Sequence, residues 1–207
     1  NAIGEDIFVS NVVLPLAISF YTIQQIAYLV DYSQGVIKYQ PTLTQYSSFV
    51  AFFPQLIAGP IVHYKVLSEQ FSQEKTYSVN SKNISLGLLF LSIGIFKKVA
   101  LGDSLAPMVS DGYMHHEELN FLTSWLTIAA FYFQIYFDFS GYADMAIGSA
   151  LLFNIKLPIN FNSPYKSASL IEFWSRWHIT LSKFINYYLY IPLLRYGRKV
   201  TFLKAMV

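Results

Sequence analysis

Apolar residues in this chain fall in long blocks separated by short polar stretches, and several blocks are long enough for helices that cross a hydrocarbon layer. Residues 7–30 form the first block, interrupted by Pro15, and reach across a core of about 30 Å. The proline predicts a kink, with neighbouring helices satisfying the freed carbonyl. Residues 31–45 are a polar connection. Residues 46–62 are apolar but carry Pro54, Gly59 and Pro60, a pattern that predicts a broken or re-entrant element. Such backbone is tolerated at membrane depth only inside protein or beside a cavity. Residues 63–82 are polar and hold Lys65, Lys75 and Lys82, and residues 84–101 form the next apolar helix. Residues 102–118 read as a loop without lysine or arginine, carrying Asp103, Asp111, Glu117 and Glu118. Residues 119–137 are the cleanest spanning helix, which 138–155 continue with a bend offered by Ser140-Gly141.

After a loop over residues 156–169, Ser169-x-x-Glu172 reads as a capping box that opens one more helix. Phe173, Trp174, Trp177, Leu181, Phe184 and Tyr188 then form an apolar stripe at helical spacing. His178, one turn from Trp174 and from Ser182, faces the edge of that stripe, and Arg176, Thr180 and Lys183 fall opposite. The expected fold is all-α: a polytopic transmembrane helical bundle with broken or re-entrant and interfacial helices. Residues 1–207 are expected to be one membrane-embedded domain, the central fragment of a longer protein truncated at both ends.

Composition agrees with a lipid setting. Hydrophobic residues make up 54% of the chain and charged ones 13%, against about 25% charged in soluble domains. Mean hydropathy is +0.40. Aromatic residues, at 18%, suit long boundaries between lipid and water. A net charge of +2, thinly spread, leaves no nucleic-acid footprint. The absence of cysteine excludes thiolate catalysis and cysteine-based zinc sites. Lysine and arginine distribution places residues 63–82 and 156–183 on the cytoplasmic side and 102–118 outside, with Lys97-Lys98 snorkelling from a shallow helix.

Candidate chemistry centres on His178. A titratable ring among apolar neighbours is costly unless it has a partner or a task; the plainer alternative is a satisfied buried histidine. Asp138 and Asp144 stand in an apolar stretch. They read either as structural, bonded locally or paired with a lysine or arginine, or as part of an ion pathway. In His115-His116-Glu117-Glu118 adjacent side chains diverge, so no metal site is assigned. His63 offers a basic group to an anionic head group, or is part of an interfacial loop. No Gly-x-Ser-x-Gly elbow occurs.

An ordered set of phrases sharpens this reading. Leu14-Pro15-Leu16-Ala17-Ile18-Ser19-Phe20-Tyr21-Thr22 and Phe52-Phe53-Pro54-Gln55-Leu56-Ile57-Ala58-Gly59-Pro60-Ile61 come first. Tyr136-Phe137-Asp138-Phe139-Ser140-Gly141-Tyr142-Ala143-Asp144 and Leu157-Pro158-Ile159-Asn160-Phe161-Asn162-Ser163-Pro164-Tyr165 follow, then Phe173-Trp174-Ser175-Arg176-Trp177-His178 and Tyr188-Leu189-Tyr190-Ile191-Pro192. Together they resemble the membrane-bound O-acyltransferase family, in its bacterial branch of alginate O-acetyltransferases and D-alanyl-transfer proteins. The resemblance runs from about Val12 to Pro192.

It implies a multi-pass protein of the bacterial inner membrane that transfers acetyl or another short acyl group to a hydroxyl. No cofactor is bound. The co-substrate is an acyl donor, acetyl-CoA or an acyl carrier thioester, and the acceptor is an envelope polysaccharide or a periplasmic or extracellular partner protein. On this reading His178 is the catalytic base, and Trp174, Trp177, Arg176 and Asp138 contact substrate. The family pattern also has a second, principal histidine in a Trp-His-Gly segment beyond Val207, so these 207 residues alone are expected to be inactive. It more often has arginine where His63 stands, and an Arg-Asp pair where Asn186-Tyr187 stand. The competing class is a transporter or channel subunit with Asp138, Asp144 and His178 as a proton or ion relay. An assembly scaffold that passes acyl groups to a partner enzyme is the third.

Overall fold

A computed structural model describes residues 17–196, and every regular element among them is helical. Helix α1, Ile18–Ser33, buries Gln24, Ala27 and Asp31 along one face. It ends in a turn where Gly35 takes φ +71° and the Asp31 carbonyl accepts from Val36 and Ile37. The predicted kink at Pro15 lies outside the described residues. Helix α2, Leu43–Val50, is opened by a reciprocal capping box between Thr42 and Gln45. Extended Phe52 and then Pro54 restart the chain as α3, Phe53–Leu56, so this segment is broken as its prolines require. Gln55 Nε2 donates to the Phe49 carbonyl at 3.0 Å across that break. Helix α4, Tyr64–Phe71, follows.

Helix α5, Ser81–Ile95, starts on an Asn80 cap. It runs through a π turn at Phe96–Gly102 into α6, Asp103–Met114. This corrects the reading of residues 102–118 as a loop: Asp103, Pro107 and Asp111 sit in a helix, and the irregular segment, with Glu117 and Glu118, begins only at His115. Packing explains the difference, since the buried Gly112 sits directly against Thr127 and leaves no room for a Cβ. Ser81–Met114 is, among the described residues, the one helix long and apolar enough to cross a membrane.

Helix α7, Phe121–Leu152, is capped by Asn120 and Thr123 and runs unbroken through Ser140-Gly141, where a bend was expected. It has the length to span, but its tyrosines, hydroxyls and Gln134 leave it less apolar than Ser81–Met114. Helices α5 and α7 meet backbone to backbone. A Cβ on Gly94 would lie 2.6 Å from the Gly141 carbonyl, and one on Gly148 would lie 2.7 Å from that of Gly87. The two pairs share a seven-residue spacing, so one antiparallel crossing uses both. At the far end of α7, Asn83 Nδ2 donates to Asn154 Oδ1 at 3.0 Å and ties the chain back to the start of α5.

The main core forms where Phe49, Tyr64 and Leu67 of α2 and α4 pack on Ala146, Ile147, Ala150 and Leu151 of α7 and on Ile155. A second cluster joins Ala27 of α1 to Phe184 and Tyr188. The last helices are α8, Leu170–Arg176, α9, Ile179–Ile185, and α10, Ile191–Tyr196, with a π turn at Asn186–Tyr190 between the last two. The helix expected to carry the whole aromatic stripe is therefore two helices, broken at Trp177-His178. Half of the expected capping box forms. Ser169 accepts from the Glu172 amide, while the Glu172 carboxylate accepts from Ala168 instead of Ser169.

Candidate active site around His178

His178 takes the left-handed conformation, φ 43° and ψ 54°, at the start of α9. A histidine adopts that backbone only where surrounding contacts fix it. Asn160 supplies most of them. Its backbone carbonyl accepts from Ile179 at 2.9 Å, and Asn162 donates to the Arg176 carbonyl at 2.9 Å, so residues 160–162 clamp both sides of the break. The Asn160 side-chain oxygen accepts from the Thr180 amide at 3.2 Å and from the Thr180 hydroxyl at 2.9 Å, and it lies 3.1 Å from His178 Nδ1. Thr180 Oγ1 in turn accepts from the Ile61 amide at 3.1 Å.

This arrangement fixes the tautomer. A backbone amide can only donate, so the Asn160 atom facing Thr180 is the oxygen, and the ring nitrogen facing the same oxygen carries the hydrogen. The hydrogen is on Nδ1. Nε2 keeps its lone pair and has no protein partner among the described residues.

The ring is buried and enclosed by aromatics. Phe20 stacks on it at 6.2 Å, Phe139 meets it edge-on at 4.8 Å, and Phe161 stacks at 6.3 Å. Burial pushes the imidazole pKa down from its ordinary 6.5 to about 4, because an apolar surrounding penalises the charged form. The ring is therefore neutral at physiological pH. It does not line the cavity of about 540 Å³ bounded by Phe52, Phe71 and Phe153, nor the one of about 480 Å³ beside His63.

The other candidate residues separate. Trp177 stacks on Phe173 and packs edge-on against Phe161 at 5.1 Å, so it backs the wall of the histidine cage. Trp174 is 57% exposed and points away from the core. The Arg176 guanidinium is held by Glu172 at 2.7 Å and reaches the Asn162 carbonyl at 3.3 Å. The Ala168 amide, with Arg176, holds the Glu172 carboxyl below its usual range.

Asp138 pairs with Lys98 at 2.8 Å, and Asp144 pairs with Lys97 at 2.6 Å. The two lysines thus turn onto α7 rather than snorkelling away, aided by the π turn that carries them. Lys98 also meets Asp103 at 2.6 Å, five residues on, a spacing suited to a π turn. These pairs match the structural alternative for the two aspartates.

Asn160, Thr180 and the phenylalanine cage were not singled out from sequence. The available signal was a polar residue alternating with apolar ones in Ile159-Asn160-Phe161-Asn162 just after a proline. Such a residue is buried only with partners.

Residues 35–206 match the model of MBOAT, the membrane-bound O-acyltransferase family. Among curated proteins, the chain is 49% identical over 208 aligned positions to a peptidoglycan O-acetyltransferase of Helicobacter pylori, covering 88% of this chain and 39% of that protein. It is 40% identical over 189 positions to a probable alginate O-acetylase of Azotobacter vinelandii, covering 91% and 37% respectively. A teichoic acid D-alanyltransferase of Bacillus subtilis is 27% identical over 197 positions, with 94% and 49% covered. The chain spans less than half the length of each of these relatives.

Proposed function

The chain belongs to the membrane-bound O-acyltransferase family, and we propose that it forms part of an enzyme that acylates hydroxyl groups of the cell envelope. The reaction moves acetyl or another short acyl group from an activated thioester to a polysaccharide or a relay protein. The names of the relatives, which denote O-acetylation of peptidoglycan or alginate and D-alanylation of teichoic acid, support that class of substrate. The setting is the bacterial inner membrane, crossed several times, with α5–α6 and α7 forming one antiparallel hairpin of a polytopic bundle.

The observation that carries this reading is the buried, neutral His178 with its hydrogen fixed on Nδ1 and a free lone pair on Nε2. A hydroxyl attacks a thioester carbonyl slowly until a neighbouring group accepts its hydrogen. Nε2 is placed to accept it. An ester C–O bond forms as the C–S bond breaks, and the thiolate takes up the released proton. With a pKa near 4 the ring is a weak proton sink at neutral pH, so its main task is to align the hydroxyl. Full proton acceptance falls to the second histidine of the family pattern.

Trp177 stiffens the wall of the site. Arg176 and Asp138 would meet substrate only by exchanging Glu172 and Lys98 for it. Because Phe20, Phe139 and Phe161 close in the ring, the acceptor must displace part of that cage to reach Nε2.

The test is a labelled acyl-donor assay on the full-length protein in nanodiscs. His178→Ala should lower transfer by roughly a hundredfold or more at normal expression, whereas Asp138→Asn should leave chemistry intact in the folded fraction. Transfer at the wild-type rate by His178→Ala would sink the proposal. Proton flux lost in Asp138→Asn with transfer untouched would favour the transporter class.

A further inference from the structure

A second polar cluster lies apart from His178, where α1, the turn before α4 and the π turn after α9 converge. Asp31 is 2% exposed. Its carboxylate accepts the Tyr188 hydroxyl at 2.7 Å on Oδ1 and faces His63 Nδ1 at 3.2 Å on Oδ2. The Tyr188 oxygen also lies 2.7 Å from His63 Nδ1. Since the single tyrosine hydrogen goes to Asp31, both contacts of Nδ1 require a hydrogen on that nitrogen. The ring is thereby fixed, and its Nε2 has no protein partner among the described residues.

His63 also lines a cavity of about 480 Å³ together with Lys65, Lys183, Asn186 and Tyr187, and with Asp31 in its wall. The carboxylate is turned toward Tyr188 and His63, while neither lysine has a carboxylate partner among the described residues. Two unopposed cations therefore face a space in the size range of small-ligand sites.

We propose that this cavity binds the phosphate of a phosphate ester, Lys65 and Lys183 supplying charge and the Asn186 amide supplying direction. Its occupant is either a soluble ester or a phospholipid head group, which present the same oxygens. The site does not depend on acyl transfer. Binding is read without turnover, so failure of the activity assay and failure of this test are separate results.

The experiment titrates glycerol 3-phosphate, at constant ionic strength, into the full-length protein in dodecyl maltoside micelles, which carry no phosphate, and follows ³¹P line width. Wild type should bind saturably. Lys65→Gln and Lys183→Gln, both at exposed positions, should each weaken binding roughly tenfold, and the double variant should abolish it with an unchanged melting temperature. His63→Gln, which retains a donor toward Asp31, should weaken binding less than loss of either lysine. Absence of saturable binding in the wild type, or equal affinity in the double variant, would overturn the proposal. Repeating the titration in phosphatidylcholine nanodiscs, whose zwitterionic surface does not repel the probe, separates the sources, and either result supports the site. A large loss of apparent affinity assigns a lipid head group, and an unchanged value assigns a soluble ester.

Discussion

Asn160 satisfies three donors with one oxygen, and that crowding makes it the residue on which the His178 site turns. Asn160→Ala would strand His178 Nδ1, the Thr180 amide and the Thr180 hydroxyl in a buried place. A loss of about 3 kcal/mol or more is expected in chemical denaturation. Asn160→Asp keeps the acceptor but adds a negative charge, which favours the imidazolium. It should therefore fold better than the alanine variant and move the acid limb of the activity profile to higher pH. An unmoved profile would show that Asn160 only holds the backbone.

The wild-type ring has a stability signature of its own. The unfolded histidine takes a proton near 6.5 and the folded one only near 4, so the unfolded state binds more protons between those values. Stability should be full above pH 6.5 and decline as pH falls toward 4, and His178→Gln should flatten that part of the curve. His178 could be picked out from sequence because a lone titratable ring among tryptophans is conspicuous. Its partner could not, since Asn160 is eighteen residues away across a loop and no local period links the two.

At the scale of elements, sequence patterns succeeded where caps and prolines act locally and failed where tertiary contact decides. Pro54 breaks its segment as expected, and Ser169 caps its helix although the Glu172 carboxylate turns to Ala168. The acids of α6 suggested a loop, yet close packing on α7 holds it helical. The break at Trp177-His178 was invisible to periodicity because apolar residues continue through it in helical register. The glycines show the same limit. Gly87, Gly94, Gly141 and Gly148 belong to no ligand motif, and their seven-residue spacing gained meaning only as paired crossings of α5 and α7. Gly94→Ala should force these backbones apart and cost about 1–3 kcal/mol, read as a lower melting temperature. An unchanged value would mean that the crossing is looser than described.

For the whole molecule, hydropathy and aromatic content placed the chain in lipid, and the helical class followed from the length of its apolar blocks. Which helices lie alongside one another did not follow, because apolar faces do not encode their partners. Ser81–Met114 is roughly 50 Å long and α7 returns antiparallel beside it, so residues before α5 and after α6 should lie on opposite sides of the bilayer. These 207 residues hold no cysteine, so an introduced thiol is directly readable once any cysteine elsewhere in the full-length protein has been replaced. In a cysteine-labelling experiment on intact cells, Glu118→Cys should react with an impermeant maleimide and Ser78→Cys only after permeabilisation. Labelling of both from one side would refute the spanning hairpin.

The His178 ring should be uncharged, with its hydrogen on Nδ1 and its Nε2 lone pair free. Nitrogen NMR of the protein labelled at histidine, assigned through His178→Gln and recorded from pH 8 to pH 5, measures that state. A neutral Nδ1–H signal that persists through pH 5 is the expected result. A ring that becomes imidazolium near pH 6.5, or that carries its hydrogen on Nε2, would rule out a neutral aligning base at this position.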